Sequence, residues 1–147
     1  MINQIIPAFQ GIAEKVVPGA KPAFDVPILF NYRPNAVIIG FIVAMITSTI
    51  LVVLANSFQL FGVLIVPLVI TSFFECGGAA VIGEGQGGFR GAVLGTIAAS
   101  VTMVALVGFS AMIFSTTIQS WILIFGGNDL SLWGMIGRGI SSLFGGF

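Results

Sequence analysis

Two uncharged stretches dominate this chain: Pro34–Phe74, 41 residues, and Gly91–Asn128, 38 residues, contain no Asp, Glu, Lys or Arg. A helix needs about 20 apolar residues to cross a hydrocarbon layer about 30 Å thick. Each stretch is near twice that length, so each must fold back, tilt or break. Ten charged residues in 147 cannot coat a water-facing surface, because soluble domains carry roughly 25% charged residues. The predicted class is an all-α integral membrane protein, with several transmembrane helices and Pro/Gly-broken, re-entrant hairpin segments.

In the first stretch Asn35–Ala55 reads as one span and "NSFQ", Asn56–Gln59, as a polar turn. "LFGVLIVPLVITSFF", Leu60–Phe74, reads as a shorter return interrupted by Pro67, since proline removes an amide donor and kinks or breaks a helix. In the second, Ala92–Phe114 reads as a span and "STTIQS", Ser115–Ser120, as an interruption. Trp121 and Trp133 flank the break and tail as interfacial aromatics do, and the tail is expected to lie on the membrane or enter it partway. Gly91 and Gly95 have the G-x-x-x-G spacing that lets helices approach closely, read here as packing.

Ahead of the spans, Ile2, Ile5, Ile6, Phe9, Ile12 and Val16 recur at helical spacing, with no apolar run of signal-peptide type. This fits an amphipathic helix, either at the membrane interface or packed on protein. We divide the chain into 1–34, an amphipathic helix and Pro-rich non-helical segment, and 35–147, a membrane-embedded bundle. Lys15, Lys21 and Arg33 precede the first span and would place that end in the cytoplasm; Arg90 joins them only if Asn35–Phe74 is a full hairpin.

The composition excludes several functions. Without histidine and with a single cysteine, the chain has no internal disulfide and no Cys/His zinc site, and it lacks the usual nucleophile–base pairs. Zero net charge gives no pull toward nucleic acid. We expect no cofactor, no metal and no catalytic residue.

Two segments are candidates for binding chemistry. In Pro18–Val37 closely spaced prolines forbid a regular helix while Phe24, Val26, Ile28, Leu29 and Phe30 keep the segment apolar. Irregular backbone at membrane depth is tolerated where protein or a water-filled cavity covers it. Asp25 stands in the middle, as an acceptor for ligand hydroxyls, as a partner of Lys21 or Arg33, or as a helix cap. The second segment is "FFECGGAAVIGEGQGGFRG", Phe73–Gly91, with the two carboxylates Glu75 and Glu84 and the lone Cys76. Glycine admits close backbone approach, and an apolar glycine-rich loop suits a re-entrant tip whose amides bind solute; a surface connector is the alternative. Glu84 and Arg90 are spaced to pair. Cys76 reads best as a buried, inert thiol. The glycines at 83, 85 and 88 match G-x-G-x-x-G without a βαβ context, and the P-loop lysine is missing.

"GIAEKVVPGAKPAFDVPILFNYRPNAVIIGF", Gly11–Phe41, resembles the long signature of the ascorbate-type permeases, the membrane enzyme IIC components of the bacterial phosphoenolpyruvate-dependent sugar phosphotransferase system. "SFFECGGAAVIGEGQGGFRGAVLG", Ser72–Gly95, and the tail "GGNDLSLWGMIG" resemble the same family, so that the likeness covers essentially the whole chain. It implies the C-terminal portion of a protein about three times longer, a homodimer with inverted repeats and a mobile core, seated as a multi-pass protein in the bacterial inner membrane. It also implies a sugar or sugar-acid substrate phosphorylated by partner enzyme IIB, itself charged by enzyme IIA. The family's substrate-contacting aspartate matches Asp25, and its site-lining backbone after a Phe pair matches Glu75, Cys76 and Gly77. Ser72 replaces the histidine common before that pair, Glu75 and Cys76 replace Thr-Gly, and Arg33 stands where relatives often carry a small residue. An acid at 75 would repel an anionic sugar acid, so a neutral polyol or sugar is expected at least as readily. The rival reading is a non-transporting membrane scaffold or truncated remnant of such a permease.

Overall fold

The computed structural model describes residues 26–66, 68–115 and 128–145, together with the helical, exposed positions Gly11 and Lys15. The rest of the N-terminal amphipathic reading, Asp25, Pro67 and the Ser115–Ser120 interruption beyond Ser115 lie outside the described residues. All regular structure among them is helical: a 3-10 turn at Val26–Asn31, α1 at Pro34–Ser57, a helical turn at Val69–Thr71, a π-type turn at Ser72–Cys76, α2 at Gly77–Phe114 and α3 at Asn128–Leu143.

Helix α1 starts where proline favours it, at the first helical position. Its 24 residues are about 36 Å long at 1.5 Å per residue, enough for a hydrocarbon core. It ends in a bend held by Asn56, whose Nδ2 donates to the Ile65 carbonyl at 2.8 Å and whose Oδ1 accepts from the Ile65 amide at 3.0 Å. The polar turn expected at Asn56–Gln59 is therefore present. The return differs from expectation: Leu64–Val66 is not helical, and helix begins only at Val69. Proline at 67 explains the delay, because it offers no amide and steers the preceding residue away from α geometry.

From Val69 the return leg runs on through the stretch expected to be a loop. Phe73–Gly91 is helical except at Gly87 and Gly88, where φ/ψ of −136°/18° and 59°/−150° turn the chain. The Gly88 combination is accessible essentially to glycine alone. The two arms then pair in antiparallel fashion. Ser72 meets Met103, Cys76 meets Ser100, Ala79 faces Gly95, and Gly83 abuts Gly91 so closely that a Cβ on either would strike the other's carbonyl. Each step forward on one arm is matched by a step back on the other, which closes the hairpin at Gly87–Gly88. The Gly91/Gly95 spacing acts as packing, as read. The segment is helical despite its glycines because those glycines set the distance between the arms.

The packing is inside out relative to a water-soluble bundle. On α1 the buried positions Ala36, Val37, Gly40, Ala44, Ser48, Val52 and Ala55 are small or short, while Ile38, Ile42, Ile46 and Ile50 form an exposed row. Arm two buries Ala92, Thr96, Ser100 and Gly108 and exposes Leu94, Ile97, Val101 and Phe109. Small residues inside and large apolar residues outside are what helices in lipid require. Pro34–Ser57 and Val69–Phe114 are long and apolar enough to cross a membrane, with mean hydropathies of 2.8 and 2.2, and only 28% and 33% of those windows are buried, too little for core helices of a soluble domain.

Candidate functional site

The candidate site is built where the π-type turn, the start of α2 and the first half of α1 converge. The backbone of Ser72–Cys76 widens into i→i+5 bonding, a local distortion found mostly at functional sites. It carries Glu75, half-buried, between exposed Phe74 and fully buried Cys76. The level of this turn is fixed by α1. A Cβ on Gly40 would lie 3.1 Å from the Cys76 carbonyl, and Cys76 joins Ala44 in one apolar cluster. Glu75 thus sits at the level of the first half of α1, within a membrane-crossing segment. No lysine or arginine stands between Arg33 and Arg90 in the sequence. An acid at such a depth is costly and is retained for function more often than for packing.

The 3-10 turn Val26–Asn31 closes one side. Phe30 packs edge-on to Phe73 at 5.3 Å and stacks with Phe74 at 6.1 Å. Phe41 of α1 meets Phe73 at 5.6 Å. Gly77 lies under Val37 and Phe30, and Gly78 under Val26, whose Cγ1 would be 2.7 Å from an added Cβ. The Gly-Gly step therefore lets the Val26–Asn31 turn lie against the π turn. Asp25 itself is outside the described residues; Glu75, Cys76 and Gly77 are adjacent.

Behind the turn lies a polar seam that the sequence reading missed. Ser48, Ser72, Thr96 and Ser100 are fully buried with Cys76. The Ser100 hydroxyl donates to the Thr96 carbonyl at 2.8 Å. Its single proton is used there, so the Cys76 thiol, 3.6 Å from Ser100 Oγ, is the donor in that contact. Cys76 is the buried thiol anticipated, turned into the hairpin. Small polar residues four apart, Ser72/Cys76 and Thr96/Ser100, were the signal. A void lined by Ser48, Val52, Ile65 and Met103, of about 10 Å³, has room for no more than one water. A larger open concavity of about 260 Å³ lies on the bend beside Asn56, Gln59 and Gly62. Neither touches Glu75.

The charged end of the site differs from expectation. Glu84 pairs with Arg33, Nη1 to Oε2 at 3.4 Å, and not with Arg90. Helical backbone from Gly77 through Gln86 points Glu84 back toward the start of α1, while Gly87–Gly88 turns the chain before Arg90. The same fold-back brings Arg90 to the Arg33 end of the molecule. Among the described residues no group of three or more Cys, Asp or Glu side chains is placed to hold a metal ion.

Two helices long and apolar enough to cross a membrane, the second folded back on itself and carrying the Glu75 turn at its start, define the class of helical membrane proteins. Residues 1–129 match the family of PTS system sugar-specific permease components (EIIC-GAT), and the chain belongs to that family. It is 27% identical over 146 residues to the ascorbate-specific PTS system EIIC component of Mycoplasma pneumoniae, a match covering 96% of this chain and 22% of that protein. The chain thus spans about a fifth of the relative's length. No solved structure matches it. The family is one of bacterial membrane proteins that serve sugar uptake, as permease subunits.

Proposed function

We propose that this chain supplies part of the sugar-binding and translocation core of an ascorbate-type enzyme IIC, with Asp25, Glu75 and the backbone of Cys76 and Gly77 facing the solute. The observation that carries this reading is Glu75: a carboxylate on a distorted turn inside a long apolar, membrane-crossing stretch. Carboxylates such as Glu75 and Asp25 are suited to accept hydrogen bonds from sugar hydroxyls, and the freed amides of an irregular backbone are suited to donate them. The hairpin closed at Gly87–Gly88 carries the Glu75 turn at the head of its first arm. Its N-terminal arm, Val69 to Gln86, is about 27 Å long, near the limit for one crossing.

In this reading the substrate is a sugar or sugar acid, and the acid at 75 favours a neutral polyol or sugar over an anion. Phosphoryl transfer falls to partner enzymes IIB and IIA, and this chain is not itself an enzyme. The permease works as a homodimer in the bacterial inner membrane, together with the part of the fold that the longer relative carries. In the same reading the hairpin tip, at the end that holds Arg33 and Arg90, faces the cytoplasm.

The test is sugar uptake by cells expressing the permease with Asp25→Asn or Glu75→Gln, across a panel of labelled polyols, sugars and ascorbate. Loss of uptake in both variants at unchanged membrane abundance is expected. Wild-type uptake by both would remove Asp25 and Glu75 from the site.

A further inference from the structure

Helix α3 is amphipathic, and it is docked the wrong way round for a helix folded in water. Leu132, Trp133, Ile136, Ile140, Leu143 and Phe144 are 41–87% exposed. At 100° per residue they fall within a sector of about 120°. The opposite side meets the protein: Ser131 is buried, and Gly134 lies beneath the Phe114 ring at the end of α2. Arg138 projects from that other side and is exposed. An apolar face turned away from its own protein needs an apolar environment.

Three observations select lipid as that environment. First, near this end of α2 the exposed residues Phe109 and Met112 continue the large apolar surface that faces the bilayer. Second, the 16 residues of α3 extend about 24 Å, short of the roughly 30 Å of a hydrocarbon core. Third, Trp133 stands at the edge of the apolar sector, where indole rings seat at headgroup level.

We infer that α3 is an interfacial helix: it lies in the plane of the membrane surface, apolar face down among the upper acyl carbons, and anchors the end of α2 through the Phe114–Gly134 contact. This rests on the family's membrane residence and is independent of the sugar site.

The test is depth-dependent tryptophan quenching of the full chain in phosphatidylcholine vesicles brominated at acyl positions 6,7 or 11,12. The chain has two tryptophans, so Trp121→Phe leaves Trp133 as the sole reporter. A second protein, with Trp121→Phe, Trp133→Phe and Ile140→Trp, moves the reporter seven residues, about 10 Å along the helix axis. Helix content by circular dichroism equal to the parent's establishes that both are folded. The expected result is loss of fluorescence at both positions, greater with the shallow bromines, with one shallow-to-deep ratio shared by the two reporters. Ratios that differ in the sense of a 10 Å depth change would show α3 crossing the bilayer and overturn the inference. No quenching at either position would show the face covered by protein, such as a second copy, and overturn it equally.

Discussion

Arg33 Nη1 lies 3.4 Å from Glu84 Oε2, linking the residue that precedes α1 to the hairpin just short of its tip. The Arg33 side chain is half exposed, and ion pairs exposed in this way contribute about 0–1 kcal/mol. Arg33→Gln should therefore lower stability in detergent by no more than about 1 kcal/mol. In a double-mutant cycle with Glu84→Gln the coupling should shrink as salt is raised. A coupling that salt leaves unchanged would show the pair to be buried more deeply than its exposure implies.

The two arms touch backbone to backbone at Gly83 and Gly91. Neither carbonyl can move aside as a flexible side chain would, so Gly83→Ala should destabilise the hairpin by about 1–3 kcal/mol. Gly85, on the same arm, has open space where a Cβ would go. Gly85→Ala should be neutral or raise stability by up to about 1 kcal/mol through helix propensity. Thermal unfolding of the two single variants in one detergent checks both signs.

Gly88 combines φ 59° with ψ −150° at the tip and has nothing within 4 Å of a would-be Cβ. Any cost of Gly88→Ala is therefore conformational, about 1–3 kcal/mol, with no steric share. Hydrogen exchange should rise at the tip amides in this variant and stay unchanged in the middle of α1.

Cys76 is fully buried, with its thiol directed to Ser100. A bulky maleimide should leave it unmodified in the folded protein and label it fully once the chain is unfolded in sodium dodecyl sulfate. A cysteine introduced by Phe89→Cys, at a residue 64% exposed, should react in both conditions. Rapid labelling of native Cys76 would mean that the arms part readily.

The spans were legible because their signals are local: length without charge placed α1 within two residues of its observed ends, and Pro67 marked a delayed return. The hairpin was harder. Glycine lowers helix propensity, so Phe73–Gly91 read as a loop, whereas here glycine lets two helices approach each other, a property of the partner as much as of the residue. Glu84 was paired with Arg90 on sequence distance alone, and the turn at Gly87–Gly88 sends Arg90 around while α1 presents Arg33. Glu75, Cys76 and Gly77 were singled out as neighbours in the chain, and so they remain; their meeting with the Val26–Asn31 turn depends on tertiary packing that composition does not encode. The buried hydroxyl seam went unread because the four-residue spacing of Ser72/Cys76 and Thr96/Ser100 marks a shared helix face without saying which neighbour that face meets.

The grip of Asn56 on Ile65 has a mechanical corollary. One side chain holds both polar groups of a single peptide residue across the bend, so α1 and the strand of chain leaving it share a welded joint. If the hairpin travels as a rigid lever, its pivot cannot be the bend itself. The rotation would then be taken up elsewhere in the chain, and a clamp that looks like decoration on a turn becomes a fixed joint between two legs.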